Sequence, residues 1–368
     1  MPTLRGPLPD YPWDSLAPYI ERARAHPGGM VDLSVGSPVD PTPELVRAAI
    51  AAATDAHDYP ATAGTPALRH AIVDWFLRRR GVAVAPNAVL PTIGSKELVA
   101  LLPFLLGISH GEAVVFPRVA YPSYEMGAAL VGADAVAADD PADWPAHTRL
   151  VWLNSPGNPD GRVLGVDALR AAVARARELG AVIVGDECYA ELGWEAPWDT
   201  ERIPSILDPR VVDSDHTGVL AAYSLSKQSN LAGYRAAFVA GDPALIASLL
   251  VVRKHSGLMQ PGPVQAAMTA ALGDDAHVAE QRERYRARRE ILLPAIEAAG
   301  YRVDGSEAGL YLWASRGADA WDCVAEFAEL GILVGPGHFY GEHSPNHVRL
   351  SLTASDEGIA EAARRLRA

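Results

Sequence analysis

The sequence predicts an α/β protein: a large domain built on a mainly parallel sheet flanked by helices, and a smaller α+β domain. Three observations carry this. Short, continuous apolar runs alternate with amphipathic helical stretches through the middle of the chain, as expected of strands buried on both faces. After residue 243 the pattern changes to a long charged helical run and then shorter strands. The chain has 368 residues, more than one compact core usually holds. The division is 36–277 for the large domain, with 1–35 and 278–368 forming the N-terminal segment and the small C-terminal domain.

The elements follow in order. A helical pattern over 65–80 leads to the strand run "AVLPT" at 88–92, and a second helical stretch, 95–106, follows. "EAVVF" (112–116) comes next, then a helical pattern over 122–131. "RLVWLN" (149–154), a helix over 166–179 and "AVIVGDE" (181–187) repeat the alternation, and "GVLAAYS" (218–224) and "AAFVAGD" (236–242) close it. The run "AEQRERYRARREILLPAIEAAG" (279–300) predicts a long connecting helix. "AGLYLWA" (308–314), "ILVGP" (332–336) and "HVRLSLT" (347–353) read as shorter strands, with helices over 319–330 and 355–367. In a sheet of this kind ligands sit at the carboxyl ends of the strands.

Composition narrows the function. A net charge of −13 argues against nucleic acid and anionic membrane as partners. No apolar run reaches the length of a membrane span, and the N-terminus lacks the basic-then-apolar layout of a signal peptide. The two cysteines, Cys188 and Cys323, lie far apart and read as free thiols of a reducing cytoplasm. The histidines show no metal-ligand spacing, and "HFYGEH" (338–343) reads as a mobile pocket loop rather than a metal site.

Only three of the 32 basic residues are lysines: Lys96, Lys227 and Lys254. A lone lysine after a strand is ordinarily a solvated surface residue. Lys227, however, follows the strand that ends in "SLSK". The neighbouring strand ends in "GDECY" (185–189), and the one before that in "NSPGNPDG" (154–161). Three consecutive strand ends thus carry an amine, an acid with a tyrosine, and two asparagines. That juxtaposition points to an active site.

"NSPGNPDG", "DECY" and "SLSKxxxxxGxR", in this order and spacing, resemble the signatures of class I/II aminotransferases, the pyridoxal-phosphate enzymes of fold type I. The resemblance covers nearly the whole chain. It implies pyridoxal 5′-phosphate as cofactor and assigns roles. Lys227 would form the Schiff base with the cofactor aldehyde, which a guanidinium cannot usefully do, and then move the substrate's Cα proton. Asp186 would pair with the pyridine nitrogen and keep it protonated. Tyr189 and Asn158 would bond the phenolic oxygen. Gly94, Ser95 and Lys96 in "TIGSKE" would form a helix-start phosphate cradle, completed by Ser224, Ser226 and Arg235. Tyr121 would stack on the ring, and Tyr59 would reach the phosphate of a neighbouring copy, implying a homodimer with shared active sites. Arg349 would grip the substrate α-carboxylate as a planar fork, with Asn154 and the backbone of Gly36 on its other side.

Within the family the pattern is most similar to succinyldiaminopimelate transaminases, which exchange an amino group between glutamate and N-succinyl-2-amino-6-ketopimelate in lysine biosynthesis. Another class I aminotransferase (aspartate, aromatic or kynurenine type) is the alternative, and a lyase on the same scaffold is a third reading. Remote acid groups on the substrate call for distal cations. Arg253 and Lys254 in "VVRKHSGLMQPGP" (251–263), and Arg118, are the candidates.

Overall fold

A computed structural model describes residues 8 and 10–367. Strands are numbered along the chain. β1 (Val31–Asp32) pairs with a strand near the other end of the chain, described below. β2 (Val89–Ile93), β3 (Ala113–Phe116), β4 (Asp134–Ala137), β5 (Thr148–Asn154), β6 (Val182–Asp186), β7 (Val219–Ser224) and β8 (Ala236–Gly241) form one seven-stranded sheet in the order β2-β8-β7-β6-β5-β3-β4. All pairs are parallel except those of β8, which runs antiparallel to both β2 and β7.

Side chains alternate between the faces, as the two-residue period of a strand requires. Along β7, Val219, Ala221 and Tyr223 join one core, and Leu220 and Ala222 the other. On the first face Trp75 packs on Tyr223 and Phe238, with ring centroids 4.4 and 5.6 Å apart. On the second, Trp152 packs 5.3 Å from Tyr124, a buried residue of the helix Ser123–Val131, alongside the helix Ser95–Leu105. Both faces are covered, which is why the strand runs are continuously apolar.

The expected helix over 65–80 is α-helical only over Pro66–Trp75. It then widens by one turn over Phe76–Arg80 and stops at Gly81, whose φ of 69° suits glycine. Several helices went unread in the sequence, among them Ala17–Arg24. Glu44–Ala52 is a short amphipathic stretch between prolines and alanines, while Pro243–His255 and Gly262–Leu272 are alanine- or leucine-rich and have little polar contrast between their faces. β4 was also unread, because its short run "DAVA" is an exposed edge.

The helix Ala276–Ala298 leads out of this sheet into the rest of the fold. There β9 (Arg302–Val303), β10 (Tyr311–Ser315), β11 (Ile332–Leu333), β12 (Gly335–Pro336) and β13 (His347–Ser351) follow. The run expected as one strand at 332–336 is split. β11 pairs in parallel with β1, while β12 joins an antiparallel sheet ordered β12-β13-β10-β9. The N-terminal segment is therefore built into this smaller layer. Among the described residues no helix is long and apolar enough to cross a membrane.

What positions the site is the level ending of β5, β6 and β7. Asn154 pairs with Asp186, and Asp186 with Ala222, so the polar residues that follow emerge along one edge.

Candidate active site

Ser224 ends β7 and caps the short turn Leu225–Gln228. Its Oγ accepts the Ser226 N–H at 3.2 Å and bonds the Ser226 hydroxyl at 2.8 Å. The turn presents Lys227, whose ammonium donates to the Gly36 carbonyl. Burial holds that amine below the ordinary lysine range, and Arg349 and Arg235 push the same way. A depressed amine is a better nucleophile and proton carrier near neutrality.

Asp186 ends β6. Its Oδ2 accepts the Tyr124 O–H at 2.9 Å and its Oδ1 the Cys188 N–H at 3.3 Å. Burial raises its carboxyl, and it makes no ion pair among the described residues. A buried carboxylate without a charge partner, facing a cavity, suits a protonated ring nitrogen.

The strand-to-helix turn after β2 places Gly94 at φ 79°, ahead of the free N–H groups of the helix Ser95–Leu105. A side chain at 94 would collide with the Arg235 guanidinium, which lies against it. Ser95, Ser224, Ser226 and Arg235 border a common cavity and Gly94 lies against the Arg235 guanidinium, a donor set suited to an anion. Lys96 aims elsewhere: its ammonium lies 5.2 Å over the Tyr11 ring and 5.8 Å over Tyr121.

Arg349, on β13, is buried at 2% exposure. Nη1 donates to Asn158 Oδ1 at 2.9 Å and Nη2 to the Ser34 carbonyl at 2.6 Å, while Nε has no partner. No carboxylate pairs with it among the described residues. An uncompensated buried charge costs several kcal/mol, so this one calls for an anionic ligand. Asn158 spends its oxygen on Arg349 and leaves its amide N–H groups without a protein acceptor among the described residues.

One cavity of about 250 Å³ is bordered by Gly36, Ser95, Lys96, Tyr121, Asn154, Asn158, Asp186, Tyr189, Ser224, Ser226, Lys227, Arg235 and Arg349. Of the residues singled out in the sequence, Arg253 and Lys254 take other places and Asn154 takes a different task. Tyr59, expected to serve a neighbouring copy rather than its own cavity, is 96% exposed and does not border it. Arg253, expected at a distal substrate site, is fully buried away from it and pairs with Glu97. Lys254 beside it is an exposed helix residue. Asn154 is at the cavity, but its amide is consumed locally: Nδ2 donates to the Pro156 and Asp186 carbonyls, and Oδ1 accepts the Asn158 N–H. It shapes the loop and has no hydrogen left for a substrate carboxylate.

Arg118 is exposed, loosely paired with Asp143 at 3.5 Å, and borders a second cavity of about 550 Å³. That cavity shares Tyr11, Trp13, Lys96 and Tyr121 with the first and is rimmed by the 338–343 loop. Sequence reading missed Tyr124 and Tyr311. Tyr124 sits one helical turn beyond Tyr121, a spacing that carried a signal. Tyr311 lies in an apolar strand run and looked like core.

A family model for aminotransferase class I and II matches residues 28–366. The chain belongs to that family. Such aminotransferases use pyridoxal 5′-phosphate, and the residues just described fit it: a buried amine, an unpaired buried carboxylate and a donor set suited to an anion. The chain is 56% identical over 360 residues to the 4-dedimethylamino-4-oxo-anhydrotetracycline transaminase OxyQ of Streptomyces rimosus, covering 98% of this chain and 99% of that one. It is 55% identical to the probable aminotransferase Rv1178 of Mycobacterium tuberculosis, covering 98% and 85%. Among solved structures, an aspartate aminotransferase of Thermus thermophilus superposes with a TM-score of 0.87 at 26% identity, covering 100% and 99%. These relatives mark the enzyme as an aminotransferase of fold type I and set the lyase reading aside.

Proposed function

We propose that this aminotransferase moves an amino group between glutamate and a larger oxo acid bearing a remote acid group, with N-succinyl-2-amino-6-ketopimelate as the expected acceptor. The observation that carries the amino-acid half is Arg349, a buried guanidinium fork with no carboxylate of its own. A substrate α-carboxylate completes it and fixes the Cα–H against the cofactor face. The bound cofactor supplies an aldehyde and an electron-withdrawing ring. Lys227 would provide the amine for that aldehyde and, once free, would carry the proton from Cα. Asp186, held by Tyr124, would keep the ring nitrogen protonated. Asn158 and Tyr189 would face the phenolic oxygen, Tyr121 the ring, and the Gly94–Ser95 turn with Ser224, Ser226 and Arg235 the phosphate. Tyr59, projecting from its own chain, would reach a second copy's phosphate in a homodimer.

The acceptor half rests on the second cavity. It adjoins the first, is more than twice as large, and carries Lys96 and Arg118 as cations for remote acids. A second reading comes from the 56% identity to OxyQ, whose name describes a polycyclic ketone substrate. The aromatic walls Tyr11, Trp13, Phe116 and Phe339 would suit such a ring system. A panel decides: the glutamate-loaded enzyme is challenged with the succinylated keto acid, 2-oxoglutarate and an anhydrotetracycline ketone, and the return of the cofactor's absorbance is followed. Turnover of the succinylated acid supports the first reading. Turnover of the ketone alone replaces it with the second.

A further inference from the structure

Tyr311 stands where three parts of the site meet. It opens β10, is 5% exposed and borders the smaller cavity. Its ring lies under the Arg349 guanidinium, with Cζ 4.0 Å from the ring centroid. Its hydroxyl is 3.3 Å from that of Tyr189. The same hydroxyl occupies the space that the missing side chain of Gly36 leaves open, and the Gly36 carbonyl receives Lys227. A phenylalanine would supply the stacking face. Only a tyrosine makes the second contact.

We propose that Tyr311 is a positioning residue with two separable tasks: its ring holds the Arg349 fork in place for the substrate carboxylate, and its oxygen accepts the Tyr189 O–H, drawing that donor away from the cofactor's phenolic oxygen. The direction of the hydrogen bond follows from the charges around the pair. Burial pushes the Tyr311 phenol up, but Arg349, Lys227 and the bond to Tyr189 outweigh it and hold Tyr311 below the usual range. Burial pushes Tyr189 well above it, with Tyr311 adding to the effect and Arg349 opposing it. On geometry alone either hydroxyl can donate; the two cations beside Tyr311, Arg349 stacked on its ring and Lys227 nearby, favour its oxygen as the acceptor and Tyr189 as the donor. The other titratable groups facing the pair are Cys188, Tyr285 and Tyr340, all pushed upward by burial, so each stays protonated and adds no charge.

This inference rests on the cofactor-site reading above. The test is the pH midpoint of the visible absorbance band in the cofactor-loaded enzyme, measured for wild type, Y311F, Y189F and the double variant. A donor on the phenolic oxygen favours its anionic form and lowers that midpoint. Y189F loses the donor and raises it. Y311F frees the Tyr189 proton for the cofactor and lowers it, and adds nothing once Tyr189 is gone. Because Y311F keeps the ring, KM for amino donors stays within about three-fold. Y311L loses the stack as well and raises KM for every donor by roughly three- to thirty-fold, the range of a desolvated cation–π contact. If Y189F shifts the band and Y311F does not, the role of Tyr311 is overturned while the cofactor reading stands. If neither shifts it, the placement of Tyr189 at the cofactor is wrong and the inference falls with it.

Discussion

Arg253 holds Glu97 through two guanidinium–carboxylate bonds of 2.8 and 3.0 Å, and the same carboxylate accepts the Ile93 N–H at 3.1 Å. The pair thus braces the residues on either side of Gly94 and Ser95. Arg253→Ala strands a largely buried carboxylate, for which a loss of about 3 kcal/mol or more is expected. The cofactor's dissociation constant should rise as the turn loosens, and every amino donor should be affected alike. Calorimetry of the apoprotein and cofactor titration check this. A variant that discriminates acidic from neutral donors would return Arg253 to the substrate site.

Borohydride reduction of the loaded enzyme should attach the cofactor to Lys227. Peptide mapping that finds it on Lys96 or Lys254 would refute the assignment. Lys227→Arg retains charge but cannot form the imine, so turnover is expected to fall by several decades while some cofactor still binds.

Asp186 gives a prediction about stability and pH. Burial raises its carboxyl above the unfolded value, so the folded apoprotein binds this proton more tightly than the unfolded chain. Its ionisation therefore destabilises the apoprotein as pH rises from the unfolded pKa through the raised folded one. The urea midpoint of apo Asp186→Asn relative to wild type should then be higher at neutral pH than in acid. In the loaded enzyme the same variant should slow proton abstraction by roughly two decades. A gap between the two apoproteins that does not change with pH would show that Asp186 is not the titrating group.

Arg349→Ala should lower kcat/KM for all amino donors together, by about ten- to a hundred-fold or more, since all share the α-carboxylate. Arg118→Ala should act only on substrates with a remote acid. Steady-state kinetics with glutamate, alanine and the succinylated acceptor separate the two. Equal effects on alanine and glutamate in Arg118→Ala would remove the second cavity from the substrate's path.

How far these features were legible in the sequence depended on whether a residue's chemistry or its neighbours defined it. Lys227, Asp186 and Asn158 stood out because an amine, an acid and an amide at successive strand ends have few structural reasons to be there. The large-sheet strands read clearly because burial on both faces leaves unbroken apolar runs. Arg253 misled for the converse reason. A cation in a polar stretch looks available, and only the fold reveals that Glu97, far away in sequence, neutralises it. Tyr311 hid in an apolar strand run, where a hydroxyl is a small mark, and Tyr124, one turn from Tyr121, had a readable spacing that went unused. The division of 332–336 between two sheets was not readable either, since pairing partners so distant in sequence leave no local pattern.

The reversed direction of β8 constrains how this gene can vary in length. Because β7 leaves the sheet at Ser224 and β8 returns beside it, with Ala237 opposite Ser224 and Phe238 opposite Tyr223, the intervening loop is a closed span pinned at both ends. It must deliver Lys227 near one end and Arg235 at the other. A single inserted or deleted codon between them would rotate the guanidinium off Gly94 or drag the amine from Gly36. The connection between β4 and β5 has no such double duty and can absorb changes of length. Loop-shuffling libraries built on this scaffold should recover indels there and lose them between Lys227 and Arg235.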